Sequence, residues 1–169
     1  MRSILCTILC MLLLAAMAPA AIASDEGTEV GNYAPLFELA DLSARPHSLA
    51  QLRGNAVLLA FWSTLCSPCT AELPSLNRLA DSLREEGVVV LAVSIDTSDK
   101  PVRDFVAQHG ISLTILLDRD KEVFFDRYAG PSLPISFLIN KHGMIIHKFD
   151  GPQNWDAASV KPLIQKAIK

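Results

Sequence analysis

Residues 57–62 are unbroken apolar, Val-Leu-Leu-Ala-Phe-Trp, with Gly54 and Asn55 just before them. A run of that length without alternation predicts a strand covered on both faces. From Pro68 the spacing changes. Leu73, Leu76, Leu79 and Leu83 recur at steps of three and four, among Arg78, Arg84, Glu85 and Glu86. That period predicts an amphipathic helix, bent early by Pro74 and ended by Gly87. Residues 88–95 read as a second buried strand. Residues 100–109 read as a helix stopped by Gly110, and residues 113–117 as a third strand. A short helix is expected over 121–128. Strands are expected at 135–139 and 144–149, joined as a hairpin through Asn140, Lys141, His142 and Gly143. A helix over 155–168 closes the chain. Upstream, Leu36, Phe37 and Leu39 suggest a short strand, and Leu49 with Leu52 one helical turn.

Strands alternating with helices, then a hairpin, predict an α/β fold of one domain. Its sheet is mixed, parallel where helices connect the strands, with helices on both faces and an antiparallel edge from the hairpin. No internal repeat is visible.

The apolar share of 50% is concentrated at the N-terminus. Arg2 is the one charge in residues 1–23, residues 4–18 are apolar save for Thr7, and Ala21-Ile22-Ala23 leads into Ser24. This order predicts a secretory signal peptide over 1–23, cleaved near Ala23-Ser24, with an uncleaved N-terminal anchor as the alternative. The polar residues 24–32 read as a flexible lead-in, and 33–169 as the folded domain. Loss of Arg2 takes the basic count from 15 to 14 against 18 acidic residues, a net charge of −4. That balance argues against nucleic acid or an anionic membrane surface as a partner.

Cleavage also removes Cys6 and Cys10, leaving Cys66 and Cys69. A staple between residues three apart constrains the unfolded chain very little, so in an oxidising compartment the pair points to chemistry. Cys66 falls where the strand ending at Trp62 turns into a helix. There, unpaired N–H groups and the positive end of the macrodipole favour a thiolate. Cys69, one turn in, is placed to close a disulfide with it. Cys66 is expected to attack a partner's disulfide and Cys69 to resolve the mixed disulfide. A structural zinc needs four ligands, and there is no second cysteine pair, while His47, His109, His142 and His147 show no ligand spacing. Glu72 lies one turn after Cys69 on the same face. Buried, it would take the proton from Cys69; exposed, it would be an ordinary helix glutamate. Pro134 opens the strand at 135–139, either in a cis turn beside the site or as a trans proline at a strand start.

The stretch Phe61-Trp62-Ser63-Thr64-Leu65-Cys66-Ser67-Pro68-Cys69, the following Thr70-Ala71-Glu72-Leu73-Pro74, and Pro134-Ile135-Ser136-Phe137-Leu138-Ile139-Asn140 resemble the TlpA/ResA-like extracytoplasmic branch of the thioredoxin superfamily. The resemblance spans roughly residues 31–168. It implies a thioredoxin-like fold, a central mixed β-sheet flanked by helices, with an inserted helix and strand at 100–117. It implies Cys66 as nucleophile, Cys69 as resolving thiol, Pro134 as a cis-proline facing them, and a functional Glu72. Two positions depart from the pattern: Leu65 stands where tryptophan is usual, and Ala60 where cytoplasmic thioredoxins carry a buried aspartate.

The expected function is periplasmic disulfide reduction in exported proteins, apocytochrome c among them, with electrons from a membrane donor of the thiol–disulfide relay type. A monomer is expected, with no cofactor beyond the redox-active Cys66–Cys69 disulfide. One alternative is a thiol peroxidase, for which Ser63 fits but Leu59 occupies a required proline position. Another is a copper-binding assembly factor, since two thiolates suit Cu(I).

Overall fold

The computed structural model describes residues 26–168. The expected signal peptide lies outside the described residues. The elements are β1 (Glu38–Ala40), β2 (Pro46–Ser48), a 3₁₀ turn (Leu49–Leu52), β3 (Ala56–Trp62), α1 (Ser67–Leu83), β4 (Val88–Ser94) and α2 (Asp99–His109). There follow β5 (Thr114–Leu117), a π-helical turn (Val123–Arg127), β6 (Ile135–Ile139), β7 (Ile145–Asp150) and α3 (Val160–Ile168).

Five strands form the main sheet in the order β5-β4-β3-β6-β7, and β1 pairs with β2 in a separate small sheet. β3, β4 and β5 run parallel, while β6 and β7 continue the sheet antiparallel. Every residue of β3 is buried, as its apolar run predicts for a central strand. Alternation splits the core in two. Ala56, Leu58, Ala60 and Trp62 face a layer built from Leu73, Leu76 and Leu83 of α1, Val102 of α2 and Ile164 of α3. Val57, Leu59 and Phe61 face Ala34, Phe37, Leu49, Phe124 and Tyr128.

All three α-helices among the described residues therefore share one face, and of the helices expected on the other only the short one at Val123–Arg127 lies there. The crossovers β3-α1-β4 and β4-α2-β5 step the same way along the sheet, and right-handed connections in one direction put their helices on one side. The opposite face is covered by the N-terminal segment and the π-helical turn. That turn is the short helix expected over 121–128, wound in the wider π form. The carboxylate of Asp118 accepts the N–H groups of Val123 (3.2 Å) and Phe124 (2.9 Å), and the Tyr128 N–H reaches back five residues to the Val123 carbonyl at 2.9 Å. The inserted helix and strand are α2 and β5. α2 stops where expected, with Gly110 in the left-handed region at φ 61°.

α1 runs unbroken through Pro74. α3 begins at Val160, later than expected, after turns at Ala157 and Val160 that follow the burial of Trp155 in the core. The lead-in is also more tied down than its composition suggests. The Gly31 N–H donates to the Ile145 carbonyl at 2.8 Å, the Ile145 N–H to the Asn32 carbonyl at 2.9 Å, and the Ala34 N–H to the Gly143 carbonyl at 2.9 Å. Gly31 to Ala34 thus lie along the start of β7, and Glu26 and Gly27 fold back onto Tyr33.

Candidate active site

β3 ends at Trp62, and after three intervening residues Cys66 caps α1 from an extended conformation (φ −98°, ψ 99°). Its N–H donates to the Ser63 carbonyl at 3.1 Å, and its Sγ accepts the Cys69 N–H at 3.3 Å. Pro68 sits in the first turn, where a missing N–H costs nothing. Cys66 and Cys69 form a disulfide with their Cα atoms 5.2 Å apart. The two sulfurs differ in access, since Cys66 is half-buried and Cys69 is fully buried. An incoming group meets Cys66 first. Leu65 beside it is 92% exposed, an apolar side chain standing in solvent at the mouth of the site.

Glu72, one turn beyond Cys69, is buried, so the exposed-glutamate alternative does not describe it. Its Oε2 accepts the Gln153 N–H at 2.7 Å. Burial pushes its carboxyl up to about 7, against the Gln153 N–H and the neighbouring Trp155 indole, which favour the ionised form. The Trp155 Nε1 itself makes no hydrogen bond of good geometry, and no cation pairs with Glu72 among the described residues. Over this carboxyl lies an open groove of about 380 Å³ lined by Pro68, Glu72, Ser75, Gln153 and Asn154. The Arg78–Asp156 ion pair (2.6 Å) also lines it.

Pro134 stands one residue before the Phe61–Ile135 pair that joins β3 to β6. That register puts it at the same end of the sheet as Trp62 and the turn into Cys66. The Leu133–Pro134 peptide is cis, Pro134 is buried, and its carbonyl accepts the Gly151 N–H at 3.0 Å. One end of one sheet thus gathers Cys66, Cys69, Glu72 and Pro134. Three more residues there escaped sequence reading. Gln153 and Trp155 meet Glu72 from the segment after β7, and Asp96 meets the turn before Cys66, with its carboxylate accepting the Thr64 N–H at 2.9 Å. Asp96 had a signal: Ser94 and Asp96 are the polar residues that close the apolar run of β4 at this same sheet end.

Three of the histidines serve packing and local bonds: His47 Nε2 lies 3.0 Å from Asp41, His109 packs against the Phe105 ring and His147 meets Phe149 edge to face. Among the described residues no three His, Cys, Asp or Glu side chains gather as a metal site.

The AhpC/TSA family model matches residues 30–148. The thiol-disulfide oxidoreductase ResA of Bacillus thuringiensis is 36% identical over 131 residues, covering 78% of this chain and 75% of the relative. Among solved structures, a candidate thiol:disulfide interchange protein DsbE from Chlorobium tepidum superposes with a TM-score of 0.77 at 26% identity, over 85% of this chain and all of the other. A secreted Mycobacterium tuberculosis disulfide oxidoreductase does so with a TM-score of 0.63 at 27% identity, over 78% and 93%. With its disulfide at a helix start and these similarities in sequence and fold, the chain belongs to the AhpC/TSA family of the thioredoxin superfamily, as a thiol–disulfide oxidoreductase of the ResA kind.

Proposed function

We propose that the protein works outside the cytoplasm as a reductase of disulfides in exported proteins, with apocytochrome c as one client class. The observation that carries the reading is the unequal access of the two sulfurs at the start of α1, with a buried carboxyl one turn behind the inner one. The charged start, apolar run and Ala-x-Ala exit of residues 1–23 support export, as does the secreted relative.

In the reduced protein the Cys66 thiolate attacks one sulfur of the client disulfide. The client S–S bond breaks, one client thiolate leaves, and a mixed disulfide forms. Cys69 then gives its proton to the Glu72 carboxylate and attacks the Cys66 sulfur. The mixed disulfide breaks, the second client thiolate leaves and takes up a proton, and the Cys66–Cys69 disulfide forms. Two electrons have passed to the client. A dithiol partner restores them by the same exchange in reverse, the role expected of a membrane donor. Pro134 lies at the same sheet end, where an incoming client chain would pass. The peroxidase alternative lacks support at Leu59, which is fully buried in mid-strand where that chemistry wants a proline at the site.

Equilibration of the Cys66–Cys69 pair with a dithiothreitol or glutathione buffer tests the direction of electron flow. The expected reduction potential lies nearer thioredoxin's value of about −270 mV than the roughly −120 mV of a strong periplasmic oxidant. A value at the oxidant end would overturn the reductase assignment.

A further inference from the structure

We propose that Asp96 is a positioning residue for the nucleophile, its carboxylate clamping the β3–α1 turn so that Cys66 stays at the helix start. Asp96 is nearly buried, at 8% exposure, two residues past the end of β4. Its Oδ1 accepts the hydroxyls of Ser63 (3.1 Å) and Thr64 (2.6 Å). Its Oδ2 accepts the Thr64 N–H (2.9 Å) and the Ser94 hydroxyl (2.7 Å). Four donors fill the acceptor capacity of one carboxylate. None of them is on Cys66, so any influence on the sulfur passes through the turn.

The turn is tied at each residue. The Ser63 Oγ accepts the Leu65 N–H at 3.2 Å, and the Ser63 carbonyl accepts the Cys66 N–H at 3.1 Å. The Ser94 Oγ accepts the Asp96 N–H at 3.1 Å, and Ser94 pairs with Trp62 in the β3–β4 register. The clamp thus locks the segment between Trp62 and Cys66 to the neighbouring strand. Three residues joining a strand to a helix have several low-energy paths, and only those that leave Cys66 as the cap keep its sulfur on the N–H groups of the first turn. Burying a carboxylate here is costly, and the shape of the turn is what its bonds determine.

The inference rests on Cys66 being the attacking sulfur, and its test reads that separately. In the reduced full-length protein, iodoacetamide alkylation of Cys66 is followed against pH by mass spectrometry for wild type, Asp96→Asn and the double variant Ser63→Ala/Thr64→Val. The double variant keeps the carboxylate and removes two of its donors. Positioning requires the Cys66 titration midpoint to rise in both variants, by about half a unit, the size of a helix-terminus effect. Reduction of a client disulfide at pH 7 should slow in both by about two- to threefold as the thiolate fraction falls. A midpoint that falls in Asp96→Asn and stays unchanged in the double variant would show a bare charge effect and overturn the proposal. Lower melting temperatures with unchanged midpoints and rates would reduce Asp96 to a stabilising residue. Preferential alkylation of Cys69 in wild type would instead remove the reading of Cys66 as nucleophile.

Discussion

Asp41 and Glu72 are carboxylates of nearly equal exposure, 5% and 7%, and their surroundings drive them in opposite directions. Asp41 closes the turn between β1 and β2. It accepts the N–H groups of Arg45 (3.0 Å) and Ser43 (2.7 Å), pairs with the Arg45 guanidinium at 2.9 Å, and lies 3.0 Å from His47. The Arg45 N–H above all, with His47 and Ser43 behind it, holds its carboxyl well below the usual carboxylate range despite shielding from water. Glu72 has one backbone donor and no cation, so burial prevails and its carboxyl rises to about 7. Lack of exposure alone does not make a proton carrier. Unfilled acceptor capacity does, because a group whose proton is held near neutrality can both accept and release it.

The largest effect expected is at Cys69, the thiol whose proton Glu72 is proposed to take. Cys69→Ser should stop turnover entirely while leaving Cys66 able to attack, so a mixed disulfide with one client per protein should accumulate on a non-reducing gel. Rapid release of the client instead would assign resolution to another thiol.

Glu72→Gln comes next. Loss of a positioned base is worth roughly a hundredfold or more, so exchange at pH 7.5 should slow by about that factor in stopped-flow assays. Stability should move the other way. Between pH 4.5 and about 7 the folded chain holds a proton that the unfolded chain has released, so stability falls as pH rises through that window and stays lost above it. Glu72→Gln removes this loss and should be more stable than wild type at pH 8 by about 1–3 kcal/mol, as read by urea unfolding. Equal exchange rates would place the proton elsewhere.

Asp41→Asn breaks the comparison from its other side. Its carboxylate is bonded more strongly when ionised, so its contribution to stability is present above the ordinary aspartate range and fades as pH falls below it. The variant should unfold at lower denaturant at pH 7, lose that deficit toward low pH, and exchange disulfides within twofold of wild type. The smallest effect belongs to Asp156→Asn, which breaks the Arg78 pair over the Glu72 groove. Both partners are about half exposed, so water screens the pair and stability should barely change. A large drop in exchange rate there would give the groove a role in proton traffic.

The contrast also marks what the sequence reveals. β3, α1 and β4 are legible because their apolar residues follow periods of one and of three to four, and Gly110 ends α2 where its left-handed turn requires. β2 is three residues, Pro46–Ser48, too short for any period. The turn at Val123–Arg127 takes its form from Asp118 accepting two N–H groups, which spacing does not encode. At the site, Cys66 and Cys69 announce themselves by spacing and by the lack of other cysteines after Cys10. The burial of Glu72 depends on Gln153 and Trp155, about eighty residues away and supplied by tertiary packing. Asp96 reaches the site through the register of two strands.

The most direct test of the contrast is the ¹³C titration of the side-chain carboxyls in the oxidised protein. Glu72 should titrate with a midpoint near 7 while Asp41 stays ionised to the acid end of the folded range. A Glu72 midpoint at the ordinary glutamate value of 4.5 would contradict its role as the proton carrier of the Cys66–Cys69 pair.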